Sequence, residues 1–372
     1  MFVELHMIQN FAPANLNRDD TNNPKDCEFG GVRRARVSSQ CIKRAIRLSP
    51  VFEETAGVEV GQRTKYLVNL LKDRLVEAGK SVEEAVAVLT DFVPDYASKL
   101  DSKSDGNKTA VLIYIGQAEI DALVQALLDN WDDLSNEAAR KRLVKDLVKA
   151  HKGQTSAPDI ALFGRMLAEQ PELGLEAACQ VAHAISTHRV TMEMDFYTAV
   201  DDLNPDDTAG AGMMGFTGFD SACFYRYACI DWEQLVTNLN GDADLARRTV
   251  EGFLRAAVEA VPSGKQNAFA ANNPPSLVLA AIRDGGFAWS LANAFEKPIY
   301  ARGDSGLIGP SVAALDAYWD RLVKMYGADS VQKVAALALD PDLPLEALGE
   351  ARVADIDTWA TAVLEALPAG EA

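Results

Sequence analysis

Between Phe29 and Ser49 the sequence carries six cations, Arg33, Arg34, Arg36, Lys43, Arg44 and Arg47, and no carboxylate. The chemistry open to such a run is the holding of phosphate, whose oxygens take charge-assisted hydrogen bonds from guanidinium and ammonium groups. Ser38 and Ser39 stand before a helical pattern as natural N-cap residues. The free N–H groups and dipole of a helix start favour an anion there. Gln40, Lys43, Arg44 and Arg47 recur at i, i+3, i+4 and i+7, one face of a helix expected from about Gln40 to Leu48, while Cys41, Ile42, Ala45 and Ile46 take the other. Upstream, Arg34 and Arg36 alternate with Ala35 and Val37 as in a short strand, and Arg18 and Lys25 flank a loop. Gly30-Gly31 would let the backbone approach a ligand closely. The competing reading is a solvated helix face paired with acids elsewhere; pairing inside the run is impossible.

Other residues suggest other chemistry. Asp19, Asp20 and Asp26 lie in the loop beside the basic run. They are candidates for holding Mg²⁺ near a phosphate, or for pairing with Arg18 and capping a turn. Met213, Met214 and Phe216 sit among glycines between 203 and 218, a composition for a long hairpin or arm. Such residues wedge between bases or pack against a neighbouring copy, and both readings stand. Lys141, Arg142, Lys145, Lys149 and Lys152 share a second amphipathic pattern, either a solvated face or a loose contact with duplex DNA. Met166 reads as packing. The five scattered cysteines form no CxxC pair, and the four histidines no metal spacing.

These residues need elements to position them. A net charge of −18 argues alone against nucleic acid, but a basic strip on an acidic body confines a polyanion to one groove. Residues 1–9 read as a strand with Val3, Leu5 and Met7 on one face, and not as a signal peptide. A long loop is expected over 10–32 and a mostly helical insertion over 61–152. Strands are expected over 178–200, 219–231 and 277–282, with helices over 243–261, 311–326 and 356–367. No apolar run is long enough to span a bilayer. The sum is an α+β core carrying appendages, consistent with a reducing cytoplasm.

Blocks across the chain also resemble a known family. They are Leu16-Asn-Arg-Asp-Asp20, Lys25-Asp26, Phe29-Gly-Gly31, the run from Arg33 to Arg47, Asp159-Ile-Ala-Leu-Phe-Gly-Arg-Met166, Ala184-Ile-Ser-Thr-His188, Thr198 to Leu203, Phe224-Tyr-Arg-Tyr227, Ala292 to Lys297 and Tyr318-Trp-Asp-Arg321. Together they resemble the CasC (Cse-type) backbone subunit of the type I-E CRISPR surveillance complex, Cascade. The resemblance implies an RRM-like palm (1–60 and 153–372), a helical finger insertion (61–152) and a β-hairpin thumb (about 195–219). It implies a non-catalytic antiviral protein, without cofactor, whose copies stack along CRISPR RNA beside other Cascade subunits and present it to target DNA. Arg18, Lys25, Arg33, Arg34, Arg36, Ser39, Gln40, Lys43, Arg44 and Arg47 match the RNA-gripping region. Met166 matches a residue near a displaced base, and Lys141, Arg142, Lys145 and Lys149 match a DNA-steering region. Related subunits of other CRISPR types cleave RNA with a loop carboxylate and a metal, so a metal-dependent ribonuclease is the alternative.

Overall fold

The structure is a computed structural model that describes residues 1–103, 107–199, 203, 213–301 and 306–369. In chain order come β1 (Phe2–Ala14), β2 (Asp26–Phe29), β3 (Val32–Val37), α1 (Ser39–Arg47) and α2 (Pro50–Ala56). A helix-rich stretch follows: β4 (Gln62–Thr64), α3 (Leu67–Glu77), α4 (Val82–Tyr96), β5 (Ile113–Ile115), α5 (Gln117–Asp129), α6 (Glu137–His151) and α7 (Pro158–Phe163). Next are β6 (Cys179–Val181), β7 (Ala184–Ser186), β8 (Glu193–Ala199) and the long β9 (Met213–Asp231). After them come α8 (Trp232–Asn238), α9 (Ala243–Glu259), α10 (Gln266–Phe269), β10 (Leu277–Arg283), α11 (Ile308–Tyr326), β11 (Val331–Ala338) and α12 (Ile356–Leu364). The class is α+β, as the sequence pattern predicts. The loop expected over 10–32 is shorter, because β1 runs on to Ala14 and β2 with β3 forms a hairpin.

The described chain divides into two compact units. The first, built on 1–52, 181–229 and 253–368, is organised by a sheet in the order β11-β10-β1-β9-β7-β3-β2. With β10 on one side and β9 on the other, β1 is central. Val3, Leu5 and Met7 are buried as expected, and so are Glu4, His6 and Ile8 on the opposite face. One core gathers Ile8, Tyr225, Leu279, Trp289, Phe295, Leu315 and Trp319, each such side chain contributing roughly 1.5–3 kcal/mol by leaving water. Within it Glu4 accepts the Trp289 N–H at 2.5 Å, and His6 Nδ1 lies 2.9 Å from the Tyr225 hydroxyl.

The second unit is built on 53–180 and 230–252. Leu71, Leu75, Leu89, Phe92, Leu123, Leu127, Val144 and Leu147 bring α3, α4, α5 and α6 into one core. Ser81 and Glu84 form a capping box at the start of α4. The stretch is not helical throughout, since β4 pairs antiparallel with β5. The unit contains the whole of 61–152 and extends past it, because later residues are tied in by polar contacts. Asp159 accepts the Gly61 N–H at 2.8 Å and the Tyr114 hydroxyl at 2.5 Å. Arg165 pairs with Glu119 at 2.6 Å, their side chains 2% and 9% exposed.

Candidate nucleic-acid interface

The basic run folds as strand, cap and helix, all within the first unit. Antiparallel pairing sets Arg36 opposite Ile185 and Val37 opposite Ala184. Ser38, in extended geometry, is the N-cap of α1, its hydroxyl accepting the Cys41 N–H at 3.4 Å. Ser39 is therefore the first helical residue. Ile42 and Ile46 are buried, Gln40 and Arg44 exposed, and Lys43 and Arg47 half-buried, so the two-faced pattern holds.

A cluster forms around this helix start. The Lys25 carbonyl accepts the Arg36 N–H at 2.9 Å, which brings the loop cation alongside β3. Arg36 donates from Nε to the Asp26 carbonyl at 3.2 Å, and its Nη1 lies 3.2 Å from Nδ1 of His183. The Ser39 N–H donates to the same Nδ1 at 3.3 Å. Burial, then Arg36 and Lys25, hold the His183 imidazole below its usual titration range. Nothing in the sequence singled out His183; the β3–β7 register puts it across from the cap.

Three expectations for this region change. Arg34 does not reach solvent. Its guanidinium is enclosed, donating to the carbonyls of Phe29 at 3.1 Å, Ser186 at 3.2 Å, Phe295 at 2.7 Å and Glu296 at 3.3 Å. It is a structural tie and no phosphate ligand. Arg33 finds an acid just outside the run, pairing with Asp26 at 3.3 Å across the β2–β3 hairpin while both stay well exposed; such a surface pair adds at most about 1 kcal/mol. At Gly30 the close approach is to the chain itself: a Cβ there would lie 1.8 Å from the Glu296 carbonyl oxygen.

In the preceding loop, Arg18 Nη1 donates to Asn22 Oδ1 at 2.8 Å. Asp19 accepts from the Thr21 N–H and hydroxyl and from the Asn23 N–H, at 2.8–2.9 Å. These bonds, the Thr21 hydroxyl foremost, hold its carboxyl below the usual range. Asp220 on β9 is buried, and burial, then Asp26, pushes its carboxyl up to about 6.

The arm is a hairpin. β8 pairs with β9 from Glu193 opposite Phe219 to Ala199 opposite Met213. Phe196 and Phe216 face each other with ring centroids 5.2 Å apart, and Met194, Phe196, Met214 and Phe216 are all exposed. Asn204-Pro205-Asp206-Asp207, Gly210 and Gly212 lie outside the described residues, as does the Met213 side chain.

In the second unit Met166 is 90% exposed, so it makes no packing contact of the expected kind. Along α6, Lys141, Arg142, Lys145 and Lys149 are exposed, as is Lys152 just beyond it. Lys141 bonds Glu137 one turn away at 2.5 Å. Arg140, on the buried side, instead pairs with Asp91 at 3.3 Å and Asp95 at 3.0 Å. Among the described residues no helix is long and apolar enough to cross a membrane.

The model of the CT1975-like protein family matches residues 3–361. The chain belongs to that family. Its fold is similar to that of a chain described as "CRISPR RNA-guided surveillance complex, pre-nicking". The TM-score is 0.86 and the identity 34%, over 98% of this chain and 100% of that one. A second, described as "CRISPR RNA-guided surveillance complex", matches with a TM-score of 0.76 and 29% identity, over 99% and 100%. No curated protein sequence matches. The resemblance to a Cas backbone subunit is thus shown for this CT1975-like chain at the level of family and fold.

Proposed function

We propose that this CT1975-like chain is a non-catalytic backbone subunit of a Cascade-type, type I-E complex, binding CRISPR RNA by its phosphates. On this reading the first unit holds an RRM-like palm with the β8–β9 hairpin as thumb, and the helices of the second form the finger. Copies stack along the guide beside other Cascade subunits in the cytoplasm, leaving bases free to pair with target DNA. The cations of α6 meet that DNA as a duplex.

The carrying observation is the set of donors beside the start of α1 and along its exposed face. The Lys25 and Arg44 side chains, the Arg36 Nη2 and the Ser39 hydroxyl have no hydrogen-bond partner among the described residues. Arg and Lys have donors and no acceptors, so an anion is their complement. The matched complexes are named for an RNA guide, which supplies one phosphate per nucleotide. The turn bonds at Asp19 and the Arg33 pair at Asp26 favour a scaffold over a ribonuclease.

The test is binding of labelled single-stranded RNA by the Lys25→Ala, Arg44→Ala double variant across a salt series. Losing two phosphate contacts should lower the log–log salt slope by about 1.4. An unchanged affinity and slope in the folded variant would remove the basic cluster as the grip.

A further inference from the structure

His183 is not among the residues that the basic pattern picks out, yet its ring occupies the centre of the cluster. The antiparallel pairing of Arg36 with Ile185 and Val37 with Ala184, carried one step on, sets residue 183 beside the cap Ser38. From there Nδ1 lies 3.2 Å from Arg36 Nη1 and 3.3 Å from the Ser39 backbone nitrogen. A guanidinium and a backbone N–H can only donate, so Nδ1 is the acceptor of both and the ring proton sits on Nε2. The imidazole is therefore neutral, in line with the depression of its titration by burial and by the neighbouring Arg36 and Lys25.

This has consequences for Arg36. The Asp26 carbonyl fixes Nε and His183 fixes Nη1. A planar fork held at two of its nitrogens has its third, Nη2, set in direction. The Ser39 N–H is tied to the same atom, so the first turn of α1 and the arginine fork are held in register through one nitrogen. A long, exposed arginine otherwise loses about 2 kcal/mol of rotamer freedom when it is ordered on a ligand, and prior fixing removes part of that cost.

We propose that His183 is a positioning residue of the guide grip: through Nδ1 it aims Arg36 and the start of α1 at one backbone phosphate. This rests on the RNA-binding reading above and assigns that site a neutral, acceptor-only member among its cations.

The experiment uses the full chain and a fluorescein-labelled single-stranded RNA of guide length, with anisotropy as readout and thermal unfolding as the folding control. Asparagine places an amide oxygen where Nδ1 stands, whereas leucine offers no acceptor. His183→Leu is expected to weaken binding about five-fold, the loss of one hydrogen bond of ordinary strength, at an unchanged melting temperature. His183→Asn should recover most of that loss. In a double-mutant cycle with Arg36→Ala, the two losses should fall well short of additive, because leucine has already released the fork. Wild-type affinity in His183→Leu, equal losses in the Leu and Asn variants, or additive losses in the cycle would each overturn the proposal. The Lys25→Ala, Arg44→Ala variant separates the two levels. If it loses RNA while His183→Leu does not, only the positioning role fails; if it too binds like wild type, the grip fails and the positioning role with it.

Discussion

Arg34 donates from Nη2 to the backbone carbonyl of Phe295 at 2.7 Å, a bond between residues 261 positions apart. With its bonds to Phe29, Ser186 and Glu296, the side chain joins the β2–β3 hairpin to β7 and to the segment after Leu291. Removing it leaves buried carbonyls without donors. Arg34→Ala is therefore expected to cost about 3–5 kcal/mol in urea unfolding. Lysine should not rescue it, since one ammonium cannot span the carbonyls a guanidinium fork reaches. Arg44→Ala, on the exposed face of α1, should change stability by less than about 0.5 kcal/mol.

The Glu296 carbonyl that accepts from Arg34 also limits the β2–β3 turn. Gly30 has φ +60° and no room for a Cβ against that oxygen, whereas Gly31 has φ +72° and nothing within 4 Å. Gly31→Ala meets only the left-handed backbone penalty, about 1–2 kcal/mol. Gly30→Ala meets that and a collision with backbone, adding about 1–3 kcal/mol. Urea midpoints of the two variants measure the difference; equal losses would mean that the turn swings clear of Glu296 at no cost.

The buried face of β1 sets a pH dependence. Burial pushes the Glu4 carboxyl up to about 7, partly offset by the Trp289 N–H and Arg283. Burial, then Arg283, lowers His6 to about 3. Between pH 4.5 and 7 the folded state keeps a Glu4 proton that the unfolded chain has lost, so this group's contribution falls as pH rises. Between pH 6.5 and 3 the unfolded chain takes up a His6 proton that the folded state refuses, so that contribution falls as pH falls. The slopes oppose each other from 4.5 to 6.5. Glu4→Gln keeps an acceptor for Trp289 and leaves the histidine slope alone. Its urea stability should climb between pH 4.5 and 6.5 by about 1–3 kcal/mol more than that of the wild type. A flat difference across that range would show that the two groups do not titrate as the burial requires.

The exposed pair Phe196 and Phe216 gives the proposed thumb its apolar surface. Phe216→Ala removes a solvent-facing ring, so the melting temperature of the isolated chain should hardly move. Assembly is where the loss belongs. Fewer copies should sediment with a guide-length RNA at a given protein concentration, and an unchanged stoichiometry would leave the hairpin with no part in it.

How far the sequence reveals this depends on the distance over which each feature is decided. The two-faced pattern of α1 and its serine cap are local, and the structure keeps them within one position. Arg34 and Arg36 look alike in sequence, being two apart on one strand. What separates them is a cover at 295–296 that no local pattern encodes. His183 likewise acquires its place only through the β3–β7 register. The helical stretch is readable from its leucine spacing. Its extension past residue 152 is not, because Asp159 and Arg165 join it through bonds to Gly61, Tyr114 and Glu119, and Leu167 and Leu173 enter its core, all across distances that no local pattern spans.

Loop carboxylates next to the proposed phosphate site also invite a test for metal-dependent cleavage. Asp19 takes three hydrogen bonds from its own turn, and Asp26 takes the Arg33 guanidinium. Those bonds leave each carboxylate one oxygen, but they fix its direction, Asp19 within its own turn and Asp26 toward Arg33, and among the described residues no three acidic, histidine or cysteine side chains gather round one point. Full-length protein with end-labelled guide RNA should therefore give the same fragment pattern in Mg²⁺ as in chelator, and Asp26→Ala should change nothing. Cleavage that needs the metal and disappears with Asp26→Ala would convert the scaffold into a ribonuclease and make the Arg33 pair a resting state of its active site.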